Sequence, residues 1–294
     1  MGGSLYFLAR FADWRQFTRP PVWLLGSLLG LVFLEMAARA VRLRRAAVRV
    51  AAVRPSFFQA VWINALGDVV GAMTPSSVGG EVSRLAGLAR VGMAPKKAFQ
   101  VIVAERVALA MTLAGVAGLA LGFMVWRAPQ LLDLPSLRQV VLVYGGAVAA
   151  VAVLVIAFSR YRKANHRQVA WRQYLSTPDL LALALVHHLV RLGLLPLIVA
   201  MLTAQVPSPV IVVWSFVLSY GIALLPVPSG GGAVEVTFMT VLEPLLGGHT
   251  TESLLLWRLS GYYLYLVLGA LVVPSGLIRF RARKSADEGA PTVS

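Results

Sequence analysis

The stretch Thr74–Glu81, TPSSVGGE, has a second version in the chain, VPSGGGAVE over Val227–Glu235. Each copy combines proline, small polar residues and paired glycines and ends in glutamate. Each closes a long apolar run, Phe57–Met73 for the first and Val210–Leu225 for the second. Proline lacks a backbone donor and glycine weakens a helix, so both stretches are expected to break helices. Within a bilayer, broken backbone survives only where it is buried in protein or lines a water-filled cavity. Two breaks in corresponding places are a sequence pattern that points to a transport site.

Composition supplies the bilayer. The 294 residues are 58% hydrophobic and 13% charged, with mean hydropathy +0.76, the profile of a polytopic membrane protein. The formal net charge of +15 sits in short loops between apolar runs, where it reads as the cytoplasmic Arg/Lys excess of a membrane protein; nucleic acid is not an expected partner. The chain has no cysteine, which excludes disulfides, thiol nucleophiles and cysteine-based metal sites. No secretory signal peptide is expected, because the first apolar run contains Glu35 and is followed by a dense arginine run.

Residues 1–20 mix Tyr6, Phe7, Phe11, Trp14 and Phe17 with Arg10, Asp13, Arg15 and Arg19 and are expected to form an interfacial amphipathic segment. A first span runs from Val22 to about Val41, with Glu35 and Arg39 as an i,i+4 pair on one face. Arg42, Arg44, Arg45, Arg49 and Arg54 then place its end in the cytoplasm. Positive charge flanks Phe57–Met73 on both sides, with Arg84, Arg90, Lys96 and Lys97 after it, which suggests a re-entrant hairpin; two short full spans are the alternative. Ala98–Val125 is a span carrying Glu105 and Arg106, and Val140–Phe158 is an uncharged linker span. Arg160–Arg172 is a cytoplasmic loop. Leu180–Leu202 bears His187, His188 and Arg191, and Leu254–Ile278 is the last span, with Arg258 near its outer end. A polar, disordered tail is expected from Ser285. The segments group as 1–20, a first repeat over 21–125, a linker over 126–172, a second repeat over 173–280, and a tail over 281–294.

A shift of 152 residues superposes the halves. Glu35 falls on His187, Arg39 on Arg191, Trp62 on Trp214, Leu66 on Leu218, Ser77 on Ser229, Gly79 on Gly231, Gly80 on Gly232 and Arg106 on Arg258. Only the motif glutamates, Glu81 and Glu235, slip. Chance rarely aligns so many intramembrane arginines, tryptophans and glycines, so a duplication is expected. Two crossings between the halves invert the second. The expected fold is an all-α integral membrane protein of two inverted repeats, each with a broken or re-entrant hairpin, joined by a linker transmembrane helix.

An intramembrane charge costs about 2.5–3.5 kcal/mol on insertion scales and usually marks a pathway. Arg106 and Arg258 either pair with Glu81 and Glu235 and hold the breaks closed, or face a cavity and attract an anionic headgroup. The breaks themselves rest on Pro75, Gly79 and Gly80, and on Pro228, Gly230, Gly231 and Gly232. No Gly-Lys-Ser/Thr follows either break, so neither is a P-loop. His187 and His188 point about 100° apart on a helix and make no metal pair. Ser76, Ser77 and Ser229 lack a nearby base and read as helix caps.

Pro75-Ser-Ser-Val-Gly-Gly-Glu81, Arg84 and Glu105-Arg106 resemble the first signature of the lysylphosphatidylglycerol synthase transmembrane, or flippase-like, family. Pro226-Val-Pro-Ser-Gly-Gly-Gly-Ala-Val-Glu235 with Arg258 resembles the second. The likeness covers roughly residues 20–280. It implies an integral membrane protein; the best-known members join this region to a soluble aminoacyltransferase and flip the aminoacylated lipid, and others are linked to lipid-carried sugars or hopanoids. The second motif is one residue short of the usual pattern, Val107-Ala108-Leu109 supplies no acidic residue after Glu105-Arg106, and the family's first span is not evident. Too few residues follow Arg281 for a catalytic domain, so lysylphosphatidylglycerol synthesis is not expected of these residues.

The expected function is flipping of a phosphate-bearing or otherwise anionic lipid, or a lipid-linked glycan, between leaflets of a bacterial or archaeal inner membrane. No cofactor and no enzymatic step are expected. Arg39, Arg84, Arg106, Arg191 and Arg258 are the candidate cations for the substrate, and Glu81, Glu105 and Glu235 the candidate gates. The alternative is a non-transporting partner or regulator of a lipid or polysaccharide pathway. Candidate protein partners are further copies of the chain or enzymes of that pathway.

Overall fold

The structure is a computed structural model that describes residues 20–74, 77–127, 178–221 and 232–288. The segment 1–19, Pro75, the linker span Val140–Phe158 with its following loop, and Pro228, Gly230 and Gly231 of the second break lie outside the described residues. All regular structure among the described residues is helical, as expected of an all-α membrane protein. In chain order the elements are α1 (Val22–Ala51), α2 (Phe57–Met73), α3 (Val78–Arg90), α4 (Pro95–Arg127), α5 (Pro178–Thr203), α6 (Pro209–Gly221), α7 (Ala233–Leu246), a 3-10 turn (Gly247–His249), α8 (Thr250–Arg258), a π-turn (Leu259–Tyr263) and α9 (Leu264–Glu288). Among them, four helical stretches are long and apolar enough to cross a membrane: Val22–Ala51, Pro95–Leu119, Pro178–Thr203 and Ala233–Gly276.

Two helices run past the ends expected from the sequence. The first span does not stop near Val41: α1 runs on to Ala51, where the left-handed Ala52 ends it by donating its N–H to Val48 O. Nothing in RLRRAAVRV breaks a helix, because arginine and alanine both favour one. Arg42, the first of the basic residues expected to follow the span, is therefore a buried helical residue within it. At the other end, α9 continues through Ser285 to Glu288, so the tail expected to be disordered starts as helix.

The axis of the molecule is the pair α1 and α5. Leu24 and Leu28 of α1 share one core with Leu194, Leu195 and Ile198 of α5, together with α6, α7 and α8. Leu43, Ala46, Ala47 and Val50 of α1 share a second core with Leu180 and Ala184 of α5, together with α2, α3 and α4. The start of α1 thus lies beside the end of α5 and the reverse, so the two helices run antiparallel. Arg49 and Arg45 at the end of α1 reach Asp179 at the start of α5, at 2.5 and 3.5 Å. Between the two apolar cores lies the polar middle of both helices, Glu35 and Arg39 on α1 with His187 and Arg191 on α5.

The first break is built by Thr74. Ser56 and Gln59 start α2 with a reciprocal capping box. The helix ends at Met73 and the next begins at Val78, so Gly79 and Gly80, expected to break the helix, stand instead inside the first turn of α3, where their bare backbone allows close packing. The Thr74 hydroxyl lies 3.1 Å from Val70 O and accepts the Gly79 N–H at 3.0 Å, so one side chain serves both helix ends. A Cβ on Gly79 would stand 2.6 Å from Thr74 Cγ2, which is why glycine is needed there. Ser77, expected to cap α3 through its hydroxyl, makes no such bond; it supplies a left-handed backbone, φ +56°, instead.

Helices α2 and α3 then approach backbone to backbone in a seam at Gly67, Gly71 and Gly80. A Cβ on Gly80 would lie 2.7 Å from Gly67 O and 3.2 Å from Gly71 Cα. Arg84 continues the seam by crossing the face of Gly67, where a Cβ would stand 2.6 Å from Arg84 Cγ. On its other side α2 packs against α9. Trp62 is fully buried, donates Nε1–H to Val273 O at 2.9 Å, and fills the space beside Gly276.

Candidate functional site

The polar middle of α1 and α5 opens onto a cavity of about 270 Å³. Arg39 comes to it from α1, Asp68 from α2, Glu81 and Arg84 from α3, Arg106 from α4, Arg191 from α5 and Arg258 from α8. The lining thus holds five arginines and two carboxylates. Six of the eight residues singled out as substrate-binding or gating stand on this wall. The other two, Glu105 and Glu235, lie behind it, fully buried, and hold wall arginines in place.

Each arginine is tied differently. Arg39 makes a two-pronged contact with Asp68 at 2.9 and 2.6 Å. The i,i+4 pairing of Glu35 with Arg39 is therefore not the one formed. Glu35 turns to α5 and α9, with Arg191 Nε at 3.2 Å, His187 Nδ1 at 2.9 Å and the Tyr265 hydroxyl at 2.5 Å. A fully buried carboxylate gains more from several partners on neighbouring helices than from one flexible pair on its own helix. Arg191 also donates to Gly261 O at 3.0 Å, a carbonyl in the π-turn. Tyr265 lies between Arg39 and Arg191, whose guanidinium carbons stand 5.9 and 5.1 Å from its ring centre, within cation–π range.

A ladder of alternating charge crosses the other side of the cavity. Arg42 donates to Glu105 at 3.1 Å, Arg84 joins Glu105 to Glu81, and Glu81 is bonded to Arg106. Glu105 and Arg106 are neighbours in sequence and turn about 100° apart on the helix. One therefore enters the protein and the other reaches the cavity mouth. In the second half Glu235 does two tasks. One oxygen accepts the N–H of Gly232 at 2.9 Å and so caps α7; the other lies 2.6 Å from Arg258. The two motif glutamates slip in the sequence alignment, yet each reaches the arginine of its own half.

Arg39, Arg42, Arg84, Arg106, Arg191 and Arg258 are thus set against Glu35, Asp68, Glu81, Glu105 and Glu235, six cations to five anions. The Tyr262 hydroxyl is buried without a hydrogen-bond partner among the described residues, in a side chain that lines the cavity. Sequence reasoning does not single out Asp68, Arg42, Gly67, Tyr262 or Tyr265 as site residues. Asp68 is visible as a lone charge in an apolar run. Arg42 is hidden within a basic cluster.

Comparison with known families decides the affiliation. The family model for the lysylphosphatidylglycerol synthase TM region matches residues 3–269. The chain belongs to that family. The match spans all the described cavity residues of the lysylphosphatidylglycerol synthase TM region and begins in the segment expected to be interfacial. No curated protein and no solved structure matches the chain significantly.

Proposed function

We propose that this member of the lysylphosphatidylglycerol synthase TM family moves an anionic, phosphate-bearing lipid between leaflets without altering it chemically. The observation that carries the reading is the cavity wall, with five arginines and two carboxylates in the midst of membrane-crossing helices. With Arg42 and the carboxylates behind the wall counted, one positive charge remains unbalanced; such charge in low dielectric is costly, and an anionic headgroup relieves it. In this reading the cell membrane is bacterial or archaeal and the lipid tails stay in the bilayer.

The proposal includes the inverted duplication. Antiparallel α1 and α5 support it, as do the contact between Glu35 and its aligned counterpart His187 and the matching glutamate–arginine pairs. Re-entrance of the first hairpin is supported by length. Thirteen residues rise about 20 Å, short of the roughly 30 Å of a hydrocarbon core.

A second reading, a non-transporting membrane partner, draws on the fact that Arg84 and Arg258 are each already held by a buried carboxylate. Reconstitution separates the two. Vesicles containing the protein should expose a labelled anionic phospholipid to an external reductant faster than protein-free vesicles. Equal rates across several anionic headgroups would reject translocation in favour of the partner reading.

A further inference from the structure

Within the proposed anion cavity, and resting on that reading, one position is distinguishable as the phosphate seat. Both terminal nitrogens of Arg39 are occupied by Asp68. Arg191 is held by Glu35 and Gly261 O. Arg258 is held by Glu235, with 2% and 0% of the two side chains exposed. Arg106 is different. Among the described residues its guanidinium hydrogen-bonds only to Glu81, and 54% of its side chain is exposed.

Glu81 is also different from the other carboxylates of the cluster. It keeps 34% of its side chain exposed, against 21% for Asp68 and none for Glu35, Glu105 and Glu235. Its two oxygens go to two guanidiniums, Oε1 to Arg106 and Oε2 to Arg84 at 3.4 Å. That long second contact is weak. Arg84 does not depend on it, because Glu105 anchors the same guanidinium from behind. Glu81 is therefore a carboxylate bridging two wall arginines, one of which it can release without leaving that arginine unpaired in the interior.

We propose that Arg106 and Arg84 form the seat for a phosphate group, and that Glu81 stands in that seat as an exchangeable substitute for it. Two oxygens of a phosphate monoester or diester present the same pair of acceptors as the carboxylate and carry the same or greater charge. Binding is then an exchange. Phosphate takes Arg106 and the outer edge of Arg84 while Glu81, already 34% exposed, turns away from the two guanidiniums into water. The other three wall arginines stay on their carboxylates and supply field without direct contact. The N-terminal turn of α3, with Ser77 and Gly80 on the wall, adds a positive dipole end beside the seat.

The test is titration of the full-length, detergent-solubilised protein with two probes, dioctanoyl phosphatidic acid and inorganic phosphate. Removing the competing charge in Glu81→Gln should tighten binding at least tenfold. Glu81→Asp, one methylene too short to bridge, should tighten it severalfold. Arg106→Gln added to Glu81→Gln should abolish the gain. A gain for the lipid alone assigns the seat to a lipid headgroup, and an equal gain for both probes assigns it to phosphate itself. Wild-type binding that Glu81→Asp and Glu81→Gln leave unchanged or weaken overturns the exchange while leaving the anion cavity intact. If neither probe binds wild type or any variant, the anion cavity falls with it. Should Glu81→Gln fail to fold, the Glu81→Asp titration decides.

Discussion

His187 Nδ1 lies 2.9 Å from Glu35 Oε1, although the two residues stand 152 positions apart, from 35 to 187. The contact joins the midpoints of α1 and α5, where the two apolar cores leave a polar layer between them. Glu35 is the centre of that layer, because Arg191 and Tyr265 converge on the same carboxylate. Glu35→Gln should leave Arg191 short of its countercharge and lower stability by about 3–5 kcal/mol. Tyr265→Phe removes one hydrogen bond to a charged group and should cost about 1.5–3 kcal/mol. Unfolding of the two variants in detergent should keep that order, and a reversal would mean that Glu35 is not held chiefly by arginine.

The two motif glutamates should behave differently when neutralised. Glu235 and Arg258 are both buried, so Glu235→Gln should cost about 3–5 kcal/mol, with partial rescue by Arg258→Gln in the same chain. Glu81 and Arg106 lie at the cavity mouth, where breaking a pair costs about 0–1 kcal/mol. A double-mutant cycle on thermal stability measures both couplings. Equal couplings in the two halves would contradict the difference in burial.

The seam between α2 and α3 offers a steric test. Gly80→Ala would push a methyl group into the backbone of Gly67 and Gly71, which cannot move without parting the helices. Overpacking of this kind costs about 1–3 kcal/mol. Gly67→Ala meets the middle of the Arg84 side chain instead, so it should also disturb the contacts of Arg84 with Glu105 and Glu81. Gly26→Ala and Gly30→Ala, with no atom within 4 Å of the added carbon, should be neutral or slightly stabilising. Melting temperatures of the four variants check the order.

Much of this site is legible in the amino-acid sequence, because charge in an apolar run is rare enough to be noticed. The repeat sets Arg106 and Arg258 beside Glu81 and Glu235 as candidate partners, and the structure pairs them so. Partners on distant helices are not legible in this way. Helical spacing makes Glu35 and Arg39 neighbours, and it carries no information about Asp68 or Tyr265, which compete for them across the bundle. Arg42 escapes for a related reason. A positive-inside count treats every arginine near a span end alike, whereas Glu105 on another helix draws this one inward. A break after Met73 is legible in the sequence, but Gly79 and Gly80 do not make it, because they stand inside the first turn of α3 and serve its packing. The residue that ties the ends together is Thr74, whose role depends on a fold-back that no local pattern encodes.

Orientation can be checked without touching the site, since the chain has no cysteine of its own. Single cysteines at Ser208 and His249 should react with a membrane-impermeant thiol reagent in intact cells, and those at Arg54 and Lys163 should react only after lysis. Labelling at position 54 or 163 before lysis would reverse the proposed inversion.

Side chains that interlock across a helix pair hold it like teeth, and at Gly67, Gly71 and Gly80 there are none. Contact there is backbone on backbone, so α3 sits closer to α2 than toothed helices can. Arg84 is the strut of this joint. It crosses Gly67 from α3 and ends on Glu105 of α4, so one guanidinium braces three helices at once. Glu81 stands on the same helix as Arg84 and moves with it, so whatever replaces Glu81 leaves the brace in place.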